Sequence, residues 1–294
     1  MGIKINKKTY LHSKGWDPIK EFVSPLFYKT EEDYKCIGTL VIIRPNLAIT
    51  AKHVILEYMR DNGICATSGT YNSKYDLLTY QYSSDGRSVA SWYVVNCFLS
   101  NMTDIAYLKL APGNKAAADI INNSLNETRV MKIDLNPPVV GTKIYGFGYP
   151  NSIVKENQLH IFPHTTGGKV VEIHMEKRDE TFVNYPVFRW DARTDHGMSG
   201  GPVFNGDGSL IGIISTGYET ENHKKDFSYI ALLWPSMCTK IIFDRMDYPN
   251  LNGQKYPIIE LARDNHLLIK GWKNINIVQN GDGTETISFE KTKD

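Results

Sequence analysis

"GMSGGPVFNGDGSLIGIIS", residues 197–215, decides the architecture. The spacing G-x-S-x-G around Ser199 fits two constructions, a strand–turn–helix elbow or a tight turn running into a β-hairpin. The residues that follow separate them. Gly200, Gly201 and Pro202 are the poorest helix formers, so no helix begins here. The stretch "VFNGDGSLIGI" instead sets a glycine-rich turn between two apolar runs, the pattern of a hairpin. The glycines also bear on chemistry: with Gly197 two residues before Ser199, the backbone can turn so that both amides point at one spot.

The same reading extends outward. Short apolar runs bounded by turn residues recur as "CIGTLVII", "NLAITAKHVI", "DIAYLKL", "TKIYGFGY", "GKVVEIHM", "SLIGIIST" and "FSYIALL". Their length and β-branched content predict strands, with too few helical periods between them for βαβ units. The fold class is mainly β, a barrel or sandwich. The polar, alanine-rich stretch "APGNKAAADIINNSLNET" (111–128) is placed to link two halves. A helix is expected from Pro235 to about Tyr248, with Met237, Ile241 and Ile242 on one face. "INIVQNGDGTETISFE" (275–290) reads as a hairpin turning through Gly281, Asp282 and Gly283.

Composition excludes some functions. Across 294 residues, 33 basic side chains nearly balance 32 acidic ones, a formal net charge of +1. There is no global field to draw nucleic acid or an anionic membrane, and neither is expected as a partner. The N-terminal "MGIKINKKTYLHSKGWD" lacks the apolar run of a signal peptide, so the expected location is cytoplasmic. Cys36, Cys65, Cys97 and Cys238 are too scattered for a disulfide framework and form no CxxC pair. "YGFGYPNS" lacks the third glycine of a dinucleotide fingerprint and meets Pro150. In "HIFPH", Pro163 argues against a metal-binding helix carrying His160 and His164. No metal or organic cofactor is expected.

A nucleophilic serine needs a base, a group to orient that base, and donors for the developing oxyanion. Of eight histidines, His53 in "LAITAKHVIL" stands out, ending an apolar strand while the others lie in polar or turn-like surroundings. Asp104 opens the strand "DIAYLKL", where a half-buried carboxylate needs a partner.

"TAKHV", "DIAYLKL" and "GMSGGPVF" together resemble the three signature segments of the chymotrypsin/trypsin-like serine proteases. The order His, Asp, Ser matches that family and not the subtilisins or α/β-hydrolases. The resemblance covers roughly residues 31–245. It implies two six-stranded antiparallel β-barrels with a C-terminal helix and extension, His53 and Asp104 on one barrel and Ser199 on the other. The expected domains are an N-terminal extension (1–30), a first barrel (31–120), a linker and second barrel with the helix (121–245), and a C-terminal extension (246–294). "GTKIYGFGYPNS" and "VFNGDGSLIGI" are most similar to the bacterial HtrA and glutamyl-endopeptidase branches.

By the family mechanism, Ser199 is the nucleophile, His53 the base, Asp104 its orienting acid, and the amides of Gly197 and Ser199 the oxyanion hole. The resemblance places the floor of the primary substrate pocket at Arg193 and Thr194. Ser215, Thr216 and Gly217 form one wall, and Phe227 to Tyr229 another. If Arg193 points inward it can pair with an acidic side chain; if it points to solvent, Phe227 leaves a shallow apolar pocket. Val54 stands where secreted trypsins carry a disulfide cysteine, which suits a reducing compartment. Met198 stands where zymogens use an aspartate, so activation does not require a cut N-terminus.

The expected activity is that of an intracellular, partner-controlled endopeptidase acting on protein or peptide through an acyl-enzyme. The alternative is a latent protease-like binding module, inactive until a partner docks. The C-terminal extension is either a docking surface for a regulatory partner or a cover for a sheet edge.

Overall fold

The computed structural model describes residues 21–30, 33–65, 70–73, 76–82, 89–124, 130–155, 158–218, 226–243, 253–264, 266–282 and 284–290. Residues 1–20 of the expected N-terminal extension, positions 244–248 of the expected helix and Gly283 of the expected hairpin turn lie outside the described residues.

Six strands close the first barrel: β1 (Val23–Lys29), β2 (Tyr34–Arg44), β3 (Leu47–Thr50), β5 (Leu77–Tyr82), β6 (Val89–Leu99) and β7 (Ala106–Pro112), in the order β1-β5-β6-β7-β3-β2 with β2 returning to β1. A short β4 (Thr70–Asn72) adds to β6. The barrel thus starts at Val23, inside the stretch expected to be an extension before residue 31. The reason is that five successive residues from Val23 are buried, the pattern of a strand covered on both faces. The long run "TLVII" in β2 is likewise buried throughout. Helix α1 (Lys52–Asp61) follows β3, and α2 (Lys115–Ser124) lies in the expected linker.

The second barrel closes in the same way from β9 (Lys143–Gly148), β12 (His164–His174), β13 (Val187–Trp190), β14 (Pro202–Phe204), β15 (Leu210–Tyr218) and β16 (Phe227–Leu232). The order is β14-β9-β12-β13-β16-β15, with β14 also paired to β15. The hairpin read from residues 197–215 is this β14–β15 pair, in which Val203 faces Gly212. Close packing fixes two of its neighbours: a Cβ on Gly146 would lie 2.5 Å from Trp190, and one on Gly148 2.8 Å from the Met198 Cα. A second hairpin, β10 (Ile153–Lys155) with β11 (Gln158–His160), leaves this barrel and pairs with β2 of the first through Ile153↔Lys35 and Val154↔Tyr34.

The expected helix from Pro235 is confined to a 3-10 turn, Trp234–Cys238. Residues 240–242 form β17 (Lys240–Ile242), antiparallel to β18 (Lys255–Pro257). The stiff, β-branched pair Ile241–Ile242 suits an extended backbone better than a helix. Ser236 in the 3-10 turn meets the buried Tyr107 hydroxyl of β7 at 2.7 Å, fastening the segment to the first barrel. After α3 (Ile258–Arg263), β19 (Leu268–Lys270) runs parallel to β8 (Lys132–Asp134), which itself pairs with β15. The last hairpin, β20 (Ile275–Gln279) with β21 (Glu285–Phe289), brings Phe289 against Trp234, with ring centroids 6.1 Å apart. The C-terminal extension is therefore built onto the second barrel and covers the β8 edge.

Candidate active site

His53 lies in the first turn of α1. The sequence suggested a strand end; β3 stops at Thr50, and extended Ala51 opens the helix without a side-chain cap. Val54, Ile55, Tyr58 and Met59 are the buried stripe of this helix, a 3.6-residue period overlooked beside the apolar run before it. A helix start leaves backbone amides unpaired. Asp104, two residues ahead of β7, supplies an acceptor: its Oδ1 takes the His53 main-chain N–H at 2.8 Å. Its Oδ2 takes the imidazole Nδ1–H at 2.7 Å. One carboxylate thus fixes both the helix start and the ring it carries.

Asp104 is buried, with 4% of its surface exposed. Burial alone would raise its pKa, but the hydrogen bond and charge of His53, with donors from Ser215 and the His53 amide, outweigh it and hold the carboxyl below its ordinary range. On His53, burial disfavours the imidazolium; the bond to Asp104 and the negative charges of Asp104 and Glu57 overcome this and raise its pKa.

Ser215 belongs to this network. The resemblance assigned it to the pocket wall; its Oγ donates to Asp104 Oδ2 at 2.6 Å. Tyr185, which no sequence motif marks, meets Ser215 Oγ at 2.7 Å. An ionised carboxylate only accepts, so the Ser215 proton goes to Asp104 and the Tyr185 hydroxyl donates to Ser215. Donors from both sides, Tyr185 through Ser215 on one and His53 on the other, thus converge on the Asp104 carboxylate.

Ser199 comes from the second barrel, just before β14. Its Oγ lies 3.5 Å from the Ser215 carbonyl oxygen, a contact at the limit of a hydrogen bond. Its own carbonyl is held by the Thr39 N–H of β2 at 2.8 Å. Ser215 therefore touches the acid with its side chain and the serine with its main chain. Gly197 has φ +92° and Gly200 φ +85°, conformations that favour glycine. A Cβ on Gly200 would fall 2.1 Å from both the Thr39 carbonyl oxygen and Thr50 Oγ1. Within the turn, the amides of Met198, Gly200 and Gly201 bond to the Asp195, Ile214 and Met198 carbonyls. Those of Gly197 and Ser199 have no partner among the described residues.

The expected pocket residues divide. Thr194 Oγ1 meets Ser228 Oγ at 2.8 Å, and Ser228 donates to the Ala192 carbonyl at 2.9 Å. A Cβ on Gly217 would touch Thr194 Oγ1 at 2.9 Å, so these three line one spot. Phe227 and Tyr229 turn to the opposite face of β16, where both rings pack with Tyr218. Strand alternation separates them from Ser228, between them in sequence. Arg193 is half-exposed and engaged by acids: Nε reaches Asp195 Oδ1 at 2.8 Å and Nη1 lies 4.0 Å from Asp226 Oδ2. Thr216 Oγ1 lies 3.4 Å from Ser215 Oγ. Val54, where the resemblance noted a missing cysteine, lies so close to Gly38 that a Cβ there would meet its methyls at 3.0 and 3.1 Å.

The trypsin-like peptidase domain family matches residues 38–213, more than half of the chain, and the match spans His53, Asp104 and Ser199. No curated protein sequence matches. Among solved structures, the active form of the Rv3671c protease from M. tuberculosis is similar over 82% of this chain and 84% of its own, at 14% identity and a TM-score of 0.47. The MamO protease domain from Magnetospirillum magneticum covers 72% of this chain and 92% of its own, at 14% identity and TM-score 0.44. Deg5 covers 71% and 83%, at 14% identity and TM-score 0.45. The family match over these residues identifies the chain as a member of the trypsin-like peptidase family, a serine protease.

Proposed function

We propose that the protein is an intracellular serine endopeptidase that cleaves peptide bonds through an acyl-enzyme. Ser199 is the nucleophile, His53 the general base and acid, and Asp104 the residue that orients His53. The observation that carries this reading is the 2.7 Å contact between His53 Nδ1 and buried Asp104, whose Oδ2 also accepts from Ser215. With its proton on Nδ1, the imidazole offers Nε2 as an acceptor for the Ser199 proton as Oγ attacks the scissile carbonyl. The amides of Gly197 and Ser199, without a partner among the described residues, are suited to receive the oxyanion. His53 then passes the proton to the leaving amine, and water releases the acyl group by the same steps in reverse. The four cysteines, all unpaired, support a reducing compartment.

A second reading, a module kept latent until a partner docks, is favoured by the Ser199 hydroxyl, which faces the Ser215 carbonyl and makes no hydrogen bond to His53 among the described residues. Such contacts commonly tighten only when substrate binds. Labelling with a fluorophosphonate, which needs an assembled base and oxyanion hole, separates the two. Labelling of the wild type, with none of Ser199→Ala or His53→Ala, is the expected result. A wild type as inert as both variants overturns constitutive activity in favour of the latent module.

The raised pKa of His53 gives a second test. The base works only when neutral, so kcat/KM should be full above that pKa and lost as pH falls through it. The acid limb of the profile is expected above 6.5, the ordinary value for histidine. A limb at or below 6.5 would show that Asp104 does not act on His53 in solution.

A further inference from the structure

We propose that Thr39 is a positioning residue that aims the oxyanion turn, an inference resting on the peptidase reading above. Thr39 lies on β2 of the first barrel, fully buried and outside the three motif segments. Its hydroxyl stands between two main-chain groups of the second barrel: it accepts the Tyr149 N–H at 3.0 Å and donates its single proton to the Gly197 carbonyl at 2.9 Å. Its backbone N–H holds the Ser199 carbonyl at 2.8 Å, and its own carbonyl accepts from Thr50 Oγ1 at 2.7 Å.

The Gly197 carbonyl belongs to the Gly197–Met198 peptide, whose other end, the Met198 N–H, is bonded to the Asp195 carbonyl at 3.0 Å. A peptide unit is planar, so holding both ends fixes the orientation of the plane. The peptides on either side of this plane carry the Gly197 and Ser199 amides, the two donors left unpartnered in the turn. Thr39 thus grips the turn twice, by hydroxyl before the serine side chain and by backbone after it. Without the hydroxyl, the Gly197–Met198 plane is fastened at one end only and the glycine at φ +92° is free to swing. A substrate touches the two amides and not Thr39, so the loss should fall on the oxyanion and not on ground-state binding.

Thr39→Val keeps the shape without the hydroxyl, whereas Thr39→Ser keeps the hydroxyl. Both full-length variants would be compared with wild type and Ser199→Ala for kcat and KM on fluorescently labelled casein and for the rate of fluorophosphonate labelling. Thr39→Val is expected to lose about 10- to 100-fold in kcat and in labelling rate, with KM unchanged, since misaiming a donor costs up to what deleting one does. Thr39→Ser is expected to retain wild-type rates. The proposal is overturned if Thr39→Val is as fast as wild type, if KM rises in step with the loss, or if Thr39→Ser is as impaired as Thr39→Val, which would trace the effect to packing. Should Thr39→Val not fold, Thr39→Cys, a weaker donor of similar size, replaces it with an intermediate loss expected and wild-type rates overturning. A wild type as silent as Ser199→Ala in both assays overturns the constitutive activity on which the proposal rests, in favour of the latent module, a result distinct from an active wild type that is indifferent to Thr39.

Discussion

Alanine at His53 is expected to lower kcat for peptide hydrolysis by about a millionfold, and alanine at Ser199 by about as much. The two losses should not add. In the proposed mechanism nucleophile and base act as one unit, because a serine hydroxyl is a poor nucleophile at neutral pH until a base accepts its proton. The double variant is accordingly expected to be no slower than either single one. Initial rates on labelled casein at neutral pH, for the wild type, both singles and the double, check this. Neither substitution should disturb the fold. The His53 ring is 40% exposed, and the bond that anchors the start of α1 comes from its backbone N–H, which alanine retains. Additive losses would show that the two residues do not share a proton.

Asp104→Asn is the more discriminating change, with an expected loss in kcat of about 10⁴-fold. Asp104 accepts three hydrogen bonds: the His53 amide at Oδ1, and the imidazole and Ser215 at Oδ2. An asparagine side chain keeps one acceptor oxygen and replaces the other with an NH₂ that only donates. With its oxygen on the His53 amide, its NH₂ faces the imidazole and donates to Nδ1. The ring proton is then forced onto Nε2, and the nitrogen that the proposed mechanism needs as acceptor becomes a donor that cannot take the serine proton. The fold is kept while the tautomer is wrong. The measurement is kcat against pH together with the His53 imidazole NMR resonances: the expected result is a titration shifted down, since the charge favouring the imidazolium is gone. An unchanged titration, or a loss below tenfold, would remove Asp104 from the mechanism.

The parts of this site that were legible in sequence are those whose neighbours along the chain carry the signal. Glycines and a proline after Ser199 foretell a turn and a hairpin, and β14 and β15 form there. Asp104 before an apolar run foretells a half-buried acid that needs a partner, and the structure buries it further, with 4% of its surface exposed. What stayed hidden depends on residues far apart in the chain. The Ser215 hydroxyl reaches Asp104 across 111 positions, and the Thr39 hydroxyl reaches Gly197 across 158. A lone serine or threonine in an apolar strand looks the same whether it meets a carboxylate, a carbonyl or nothing. The direction of Phe227 was hidden for a related reason: strand alternation is visible in "FSY", but which face meets Thr194 depends on how β16 pairs with β13 and β15. At Pro235, a proline suited to opening a helix competed with the β-branched Ile241–Ile242, and pairing with β18 decided for the strand.

The division of the site between two barrels has a consequence for biosynthesis. The strands of the first barrel all lie before residue 113, so His53 and Asp104 are in the chain early. Ser199, and the Ser215 that joins it to the acid, come later, and the second barrel closes only with β16, which ends at Leu232. Domains generally fold as units and in order as a chain leaves the ribosome. In the mechanism proposed above, a nascent chain that has completed its first barrel holds the base and the acid without the nucleophile. On the proposed mechanism, hydrolysis therefore waits for the second barrel to close, and a chain still lacking β16 has no working site.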